Sequence, residues 1–437
     1  MLTKILPILD WLPKYKKANL KGDLSAGITV GIMLIPQGMA YAMIAGLPPV
    51  YGLYASFIPQ LVYLFFGTSR QLAVGPVAMD SLIVAASVSA IADIGTDQFI
   101  ELAILLAFLM GTIQFLAGIL KLGFIVKYLS KPVISGFTSA AALIIGINQL
   151  KHLIGVDLER TNNVINILAE SINRLYDIHY ITFLIGAFGI FIIILFKQLR
   201  TKLPGSLVSI ILGTLIVFIY SLDNEGVKIV GIIPEGFPLF KAPSFDRNVI
   251  LQLLPTAFTL SIIAFVEAIS VAKAIQAKHE NEYELDCNQE FIALGLGNII
   301  GSFFMCYPTT GGFSRSAVND QAGAKSNLAS LFSAIVIILT LLFLTPLFYY
   351  LPNALLGSII MVAVFGLIDF KLPLSIWKLC KLDFISLIIT FITTLCFGIV
   401  QGIATGVIIN IIFTQIKTKF PQLCNKSYYS GKISNVN

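Results

Sequence analysis

Long apolar runs separated by short polar loops dominate this chain. Fourteen of the runs come near the length of about 20 residues that a helix needs to cross a bilayer. They lie at roughly 24–44, 50–66, 76–92, 98–119, 132–150, 179–197, 203–220, 250–272, 290–304, 313–323, 326–345, 352–369, 383–400 and 402–416. The third and tenth are short, and the whole pattern predicts an all-α membrane protein.

Positive charges concentrate in alternate loops of this count and in the N-terminal segment. Those loops hold Arg70, Lys121, Lys127, Lys131, Lys197, Arg200, Lys202, Lys273, Lys278, Lys325, Lys371, Lys378, Lys381, Lys417 and Lys419. The positive-inside rule places these loops and both termini in the cytoplasm, in agreement with an even number of spans. We expect a multi-pass protein of the plasma membrane, and the bacterial inner membrane is the favoured location.

The longest polar break divides the spans seven and seven. An odd number of spans in each half forces the halves into opposite orientations, which is the inverted-repeat layout of many secondary transporters. We predict a cytoplasmic lead-in over 1–22, a first repeat over 23–220, an extracellular connection over 221–249, a second repeat over 250–420 and a short cytoplasmic tail over 421–437.

Composition narrows the class of protein further. The 437 residues are 57% hydrophobic and 12% charged, and a soluble domain carries about twice that charged fraction. The net charge of +6 resides in short loops between apolar runs, so it predicts no nucleic-acid partner. Five cysteines without paired spacing indicate no metal site, and no nucleophile–base pair or cofactor motif indicates an enzyme.

The tenth span cannot be an ordinary membrane-crossing helix. Within Met305–Asp320, Pro308 lacks a backbone N–H and the pair Gly311-Gly312 weakens a helix. Only Phe313–Gly323 has helical composition, which is about half a bilayer. Irregular backbone at that depth is tolerated inside protein or beside a water-filled cavity.

A half-helix that begins inside the membrane favours an anion at its N-terminus, because its first N–H groups are free and carry about half a positive charge. Ser314 stands at the predicted N-cap position, where its hydroxyl either caps this helix or is offered to a ligand. Arg315 adds a full positive charge. The backbone N–H groups from Phe313 to Arg315 are expected to touch the anion. The alternatives for Arg315 are a structural ion pair with Glu267 or Asp320, and a snorkelling side chain that leaves only the backbone at the site.

The third span corresponds to the tenth, because seven spans separate them in a seven-plus-seven repeat. The bias of residues before a proline predicts extended backbone over Gln71–Gly75, and a helix that starts at Pro76. Two extended pieces, each leading into a half-helix, are expected to meet near the midplane with two positive helix ends facing one cavity.

Further polar residues in apolar spans are candidates for this cavity. Gln37 and Tyr41 lie one turn apart in the first span, where a substrate-facing role competes with an inter-helix hydrogen bond or packing. Glu267 is either a proton carrier or a counter-ion of Arg315 or Lys273. Asp80, one turn into the third half-helix, receives no role from the sequence.

Several motifs together resemble the SulP anion-transporter family of sulfate permeases and their animal relatives. The motifs are Asp23-Leu-Ser-Ala-Gly-Ile-Thr-Val-Gly, Ile35-Pro-Gln-Gly-Met-Ala-Tyr-Ala, Gly46-Leu-Pro-Pro-Val-Tyr-Gly-Leu-Tyr-Ala-Ser-Phe, Phe66-Gly-Thr-Ser-Arg-Gln-Leu-Ala-Val-Gly-Pro-Val-Ala and Thr310-Gly-Gly-Phe-Ser-Arg-Ser-Ala-Val-Asn. The resemblance covers about residues 7–420.

This resemblance implies fourteen spans in two inverted repeats, with a core domain (spans 1–4 and 8–11) that moves against a gate domain (spans 5–7 and 12–14) like an elevator. It implies a homodimer, and an anion site lined by Gln37, Tyr41, Val74, Gly75, Val77, Ser314 and Arg315. Some relatives couple a cation to transport through an acid at the position of Glu267. The sodium-coupled relatives also have a threonine one turn later, where this chain has Val271. The resemblance therefore favours a proton over sodium as the coupling ion. Most family members continue into a cytoplasmic STAS domain, whereas this sequence stops about twenty residues after its last span, so we expect a membrane domain without a STAS domain, either in a naturally short protein or in a truncated form.

We therefore expect a secondary active transporter of a small inorganic or carboxylate anion. Sulfate is the first expectation, with bicarbonate, dicarboxylate and chloride as alternatives, by proton symport or anion exchange. A nucleobase permease of the same fold is the second hypothesis, and it would present polar or acidic groups to a base edge. A channel or a non-transporting sensor is the third.

Overall fold

A computed structural model describes residues 5–124, 130–156, 169–170, 172–199, 205–279, 283–366, 368 and 370–419, and almost all of its regular structure is helical. The helices are α1 Ile8–Trp11, α2 Leu20–Ile44, α3 Pro49–Ala55, α4 Ile58–Phe66, α5 Ala78–Val88, α6 Asp97–Ile119, α7 Lys131–Asn148, α8 Leu150–Ile154, α9 Tyr180–Gln198, α10 Gly205–Tyr220, α11 Arg247–Lys278, α12 Cys287–Ser302, α13 Phe313–Gln321, α14 Leu328–Leu339, α15 Asn353–Phe365, α16 Lys371–Leu379, α17 Lys381–Phe397 and α18 Ile399–Lys419. Two strands, β1 Val74–Gly75 and β2 Thr310–Gly311, form the one sheet within the described residues.

Each of the fourteen apolar runs corresponds to a helix or to a helix interrupted once, so the predicted helical membrane fold is confirmed. Within the described residues, seven helical stretches are long and apolar enough to cross a membrane by length and composition. The second span is divided into α3 and α4, and the eleventh continues from α14 into a π turn over Thr340–Leu344 and a 3₁₀ turn over Thr345–Phe348. Pro346 lies at the start of that 3₁₀ turn, where no regular α-helix continues.

The first compact unit comprises Met1–Phe124, His152–Val156 and Asp177–Ile360. Small residues let its helices approach closely, as is typical of membrane interiors. An added Cβ on Gly295 of α12 would lie 2.5 Å from the Phe115 backbone nitrogen of α6, so that contact requires glycine. All eight spans of the expected core domain fall in this unit, together with α9 and α10.

The second compact unit contains α7, α16, α17 and α18. Within it, α17 packs against α7 and α18. Lys417 forms an ion pair with the buried carboxylate of Asp383, so the ends of α17 and α18 are joined. The second unit thus contains spans five, thirteen and fourteen, which all belong to the expected gate domain. The other gate spans of the first repeat are α9 and α10, and they fall in the first unit with the core spans.

The proposed repeat boundaries stay predictions, with some local detail now visible. The lead-in contains α1 and a 3₁₀ turn over Lys17–Asn19. The helix α2 begins at Leu20, three residues before the predicted start of the first repeat at residue 23. In the connection, Ile229 forms a bridge with Pro352 and the Val230 N–H donates to the Leu351 carbonyl at 2.8 Å. The predicted tail over 421–437 lies outside the described residues.

Candidate functional site

The two extended segments meet as an antiparallel pair inside the first unit. Val74 pairs with Gly311, and Gly75 pairs with Thr310. The Gly312 N–H extends the pairing by donating to the Ala73 carbonyl at 3.0 Å. All of these residues are buried, so the ladder satisfies backbone groups that have no water partner. The predicted meeting of the two broken spans is confirmed.

The tenth half-helix, α13, starts one residue before the predicted cap. Gly312, with φ −88° and ψ 130°, is the N-cap, and its carbonyl accepts the first helical bond from the Ser316 N–H at 3.0 Å. Ser314 is therefore the second helical residue, and the prediction that it caps the helix was wrong. The Phe313, Ser314 and Arg315 N–H groups have no partner within their own helix.

The third half-helix, α5, starts at Ala78 with Val77 as its N-cap, two residues after the predicted start at Pro76. The reason is a long-range contact. A helix starting at Pro76 needs that carbonyl for the next turn, but the carbonyl accepts a hydrogen bond from the Arg315 guanidinium instead. The first helical acceptor is the Val77 carbonyl, which receives the Ser81 N–H at 3.0 Å.

Arg315 joins the two half-helix starts. Its side chain is 2% exposed, and while Nη1 donates to Pro76, neither Nε nor Nη2 has a hydrogen-bond partner among the described residues. The guanidinium lies so close to Gly312 that an added Cβ there would be 2.7 Å from Nη2. A buried cation with two free donors, held between two helix N-termini, is a strong site for an anion.

Two acidic side chains act electrostatically on Arg315. They are Glu267 of α11 and Asp80 of α5. In the described part of the chain, no carboxylate approaches Arg315 closely enough for an ion pair. The alternative partner proposed from the sequence, Asp320, instead contacts His279 at 2.5 Å. Arg315 is therefore not neutralised by a direct structural bridge.

The residues predicted from the first span lie in the same buried region. Gln37 is 6% exposed, its Oε1 has no hydrogen-bond partner within the described ranges, and Tyr41 is 7% exposed. Tyr41 lies within electrostatic range of Arg315 and Glu267. A substrate-facing role for Gln37 and Tyr41 stays a prediction.

The strand and half-helix residues of the predicted site divide by exposure. Val74, Gly75 and Val77 are buried, as is Arg315, whereas the side chains of Phe313 (57% exposed) and Ser314 are exposed at the tip of α13. The structure thus brings the predicted residues to one strand crossing. Their direct contact with an anion stays a prediction.

Several residues that hold this geometry were not predicted. Ser316 accepts the Ala73 N–H at 2.9 Å and donates to the Gly312 carbonyl at 2.7 Å. Asn298 of α12 accepts the Thr309 N–H at 2.8 Å and donates to the Thr309 carbonyl at 2.9 Å. Tyr307, fully buried, lies 3.3 Å from the Ser81 hydroxyl. No local signal in the sequence singles these residues out, because their roles depend on tertiary contacts.

Two strands that cross between the N-termini of two half-helices, in a helical membrane protein, define the class of inverted-repeat transporters with discontinuous helices. Residues 20–390 match the sulfate permease family. The chain belongs to that family.

The relatives extend this result. The chain is 42% identical over 431 residues to the chloroplastic sulfate transporter 4.1 of Arabidopsis thaliana, covering 96% of this chain and 62% of that protein. It is 35% identical over 430 residues to high affinity sulfate transporter 2 of Stylosanthes hamata, covering 95% of this chain and 64% of that protein. The chain thus spans less than two thirds of the length of these relatives, which are named as transporters and not as enzymes.

Solved structures agree on the fold. A murine solute carrier 26 family member A9 anion transporter in the inward-facing state matches with a TM-score of 0.90 at 30% identity, over 95% of this chain and 72% of that one. The transmembrane domain of a cyanobacterium bicarbonate transporter matches with a TM-score of 0.77 at 23% identity, over 91% of this chain and 98% of that domain. The second likeness concerns the fold alone.

Proposed function

We propose that this protein is a secondary active transporter of a small anion, and that sulfate is its first substrate. The observation that carries the proposal is Arg315, buried between two half-helix N-termini with Nε and Nη2 unpaired among the described residues. Free donors on a buried cation fit the several acceptor oxygens of an oxyanion. The sulfate-transporter names of the relatives support sulfate over bicarbonate, a dicarboxylate or chloride.

The anion lies between the two half-helix starts in this proposal. The N–H groups of Phe313, Ser314 and Arg315 donate to it from one side, and the start of α5 faces it from the other. The remaining lining comes from Gln37, Tyr41, Val74, Gly75 and Val77. Alternating access by an elevator movement then exposes this site first to one side of the membrane and then to the other.

Glu267 couples a proton to the anion. It lies on α11, acts electrostatically on Arg315, and its Oε2 has no hydrogen-bond partner within the described chain. One turn later stands Val271, 2% exposed, which offers no oxygen to a sodium ion. Protonation of Glu267 removes a negative charge next to the anion, so the anion and the proton bind better together than separately.

The surroundings proposed for this transporter follow the sequence expectations. It resides in a plasma membrane, the bacterial inner membrane first, with both termini cytoplasmic, and it works as a homodimer. Its ligands are the anion and the proton, without a metal or another cofactor.

Uptake of labelled sulfate into proteoliposomes tests the proposal. Sulfate is expected to accumulate when the outside is more acidic, and Arg315→Ala is expected to reduce uptake by about 100-fold, since loss of a buried charge from a polar contact weakens binding by about 3 kcal/mol. Arg315→Lys keeps the charge and is expected to retain part of the flux. Arg247→Ala, at an exposed arginine, is the matched control and keeps wild-type uptake.

The same vesicles separate the rival functions. Glu267→Gln is expected to weaken the acceleration by a pH gradient while sulfate–sulfate exchange continues. Flux that does not depend on pH in the wild type contradicts the proton coupling. Uptake of a nucleobase without any anion flux identifies a nucleobase permease instead, and single-channel currents identify a channel.

A further inference from the structure

Asp80 is a buried acid that the proposed transport cycle leaves without a role. It is the third residue of α5, its side chain is 0% exposed, and neither carboxyl oxygen has a hydrogen-bond partner in the part of the chain that is described. An ionised carboxylate in such a place is strongly disfavoured unless a ligand or a cation compensates it. A buried acid with both oxygens free is therefore a group that binds something.

Titratable groups face this site from α2, α11 and α13 and from the segment before β2. Asp80 interacts electrostatically with Glu267 of α11 and Arg315 of α13, and it acts on Tyr307 of the segment before β2. From α2 comes Tyr41, which lies within electrostatic range of Arg315 and Glu267.

The helix α6 also packs on α5, but its charges are remote from the site along the helix. Its only ionisable residues are Asp97 and Glu101, in its first five positions. Glu101 is bonded to Lys241 at 2.7 Å. Arg315 is therefore the one full positive charge that faces Asp80 from the described elements packed around it.

The charges at the site can be summed for each protonation state. Arg315 contributes one positive charge, and the two half-helix starts contribute roughly half a positive charge each. With both acids ionised, the total is about zero and the site does not attract an anion. With one acid neutral, the total of about one positive charge matches a monovalent anion. With both neutral, the total of about two matches a divalent oxyanion.

We propose that Asp80 is a second proton-carrying side chain at this site, and that a divalent oxyanion is carried together with two protons, one on Asp80 and one on Glu267. The inference rests on the proposed function. Each proton binds a carboxylate oxygen on the side where the anion enters, and leaves that oxygen on the side where the anion departs. One cycle with sulfate moves two positive and two negative charges, so it carries no net charge.

The uncharged amide of an Asp80→Asn variant mimics the protonated form of the Asp80 carboxyl. In Asp80→Asn, the site attracts the divalent anion at any pH at which Glu267 is protonated, but only one proton accompanies each sulfate. The cycle of this variant moves one net negative charge, and an inside-negative membrane potential opposes uptake.

The number of protons carried with each sulfate can be measured in proteoliposomes. The internal and external sulfate concentrations are fixed, and the pH gradient at which the net sulfate flux stops is determined. At zero membrane potential, one pH unit is expected to balance a sulfate gradient of about 100-fold in the wild type and about tenfold in Asp80→Asn, because each coupled proton contributes one factor of ten. The balance point of the wild type is expected not to move with an imposed potassium diffusion potential, whereas that of the variant shifts. Asp80→Glu retains a carboxyl and is expected to return the ratio toward 100-fold. Asp97→Asn, outside the site, keeps the wild-type ratio.

If one pH unit balances only a sulfate gradient of about tenfold in the wild type, and the membrane potential shifts that balance point, the two-proton inference is overturned. This result needs no folded variant. An unchanged ratio in Asp80→Asn overturns the assignment to Asp80. Both results leave the proposed function standing. Wild-type protein that moves no anion under any gradient overturns the proposed function, and the inference fails with it.

Discussion

Two pairs of buried or partly buried acids lie around the broken spans, and the pairs differ in their hydrogen bonding. Asp23 and Glu290 form what we term the anchoring pair, at the ends of the broken spans away from the strand crossing. Asp80 and Glu267 form the site pair, beside Arg315. Every oxygen of the anchoring pair accepts hydrogen bonds, whereas the site pair has three oxygens without a partner among the described residues.

Glu290 shows what a satisfied acid does. Its Oε1 accepts the Thr68 N–H at 2.7 Å, the Thr68 hydroxyl at 2.6 Å and the Ser69 N–H at 3.1 Å, and its Oε2 accepts the Tyr63 hydroxyl at 2.7 Å. The loop that leads into β1 is thereby fixed to α12.

Asp23 does the same for the other broken span. Its Oδ1 accepts the Lys325 and Ser326 N–H groups at 2.6 and 3.0 Å, and its Oδ2 accepts the Ser326 hydroxyl at 2.7 Å. The Tyr15 hydroxyl donates to Oδ2 at 2.9 Å. Burial and this hydrogen bond raise the pKa of Tyr15, so the hydroxyl stays protonated and remains a donor.

The difference teaches how to separate structural from functional acids in one membrane core. A carboxylate whose oxygens are filled by backbone N–H groups stabilises a loop and has no capacity left for a ligand. An acid with free oxygens contributes little to the fold and is available for a proton or for charge compensation. Substitutions that remove each acid can therefore break or sharpen the distinction.

The largest loss of stability is expected for Glu290→Leu. The change leaves the Thr68 and Ser69 N–H groups and two hydroxyls without their acceptor, which costs about 4 kcal/mol in the free energy of unfolding. Unfolding of the detergent-solubilised protein by denaturant measures it. Glu290→Gln is expected to recover most of the loss, since the amide oxygen still accepts from the loop. Glu284→Leu, at an exposed acid of the neighbouring loop, is the control, and an equal loss there would contradict a specific role of Glu290.

A smaller loss, about 1 kcal/mol, is expected for Asp23→Asn. The asparagine oxygen can keep the Lys325 and Ser326 N–H groups, and its NH₂ can donate to the Tyr15 or Ser326 hydroxyl, which is able to accept. The same denaturant titration measures it, with Asp10→Asn as the control because Asp10 has 60% side-chain exposure and a surface ion pair. A loss as large as that of Glu290→Leu would show that the negative charge itself, and not the hydrogen-bond geometry, holds the loop.

Much of this fold was predictable, because the properties that fix it are local. The length of an apolar run determines whether a helix can span the membrane. Pro308, Gly311 and Gly312 exclude a regular helix whatever tertiary contacts surround them. The extended backbone before Pro76 follows in the same way. The pairing of the two broken spans needed only the count of seven and seven.

The details of the site were less predictable, because they depend on contacts between distant segments. The start of α5 moves from Pro76 to Ala78 since Arg315, which is 239 positions further along the chain, takes the Pro76 carbonyl. Ser316 takes part in the strand crossing through the Ala73 N–H, and no local signal distinguishes it from Ser314. Asp80 appeared anomalous in the sequence because a negative charge opposes an anion site; only its burial with free oxygens suggests that it carries a proton.

The smallest effect on stability is expected for the site pair. Asp80→Asn and Glu267→Gln remove no hydrogen bond recorded among the described residues, so each is expected to change the free energy of unfolding by less than about 0.5 kcal/mol, or to raise it by removing a buried charge. Denaturant titration measures this, and Asn298→Leu serves as the positive control, because it removes two satisfied bonds to Thr309 in the same region. Losses for both site variants that match Asn298→Leu would mean that these acids support the fold as Asp23 and Glu290 do, and the distinction between the two pairs would fail. Unchanged stability with altered proton coupling places both acids in transport, since a change in coupling without a change in folding requires contact with the transported ions.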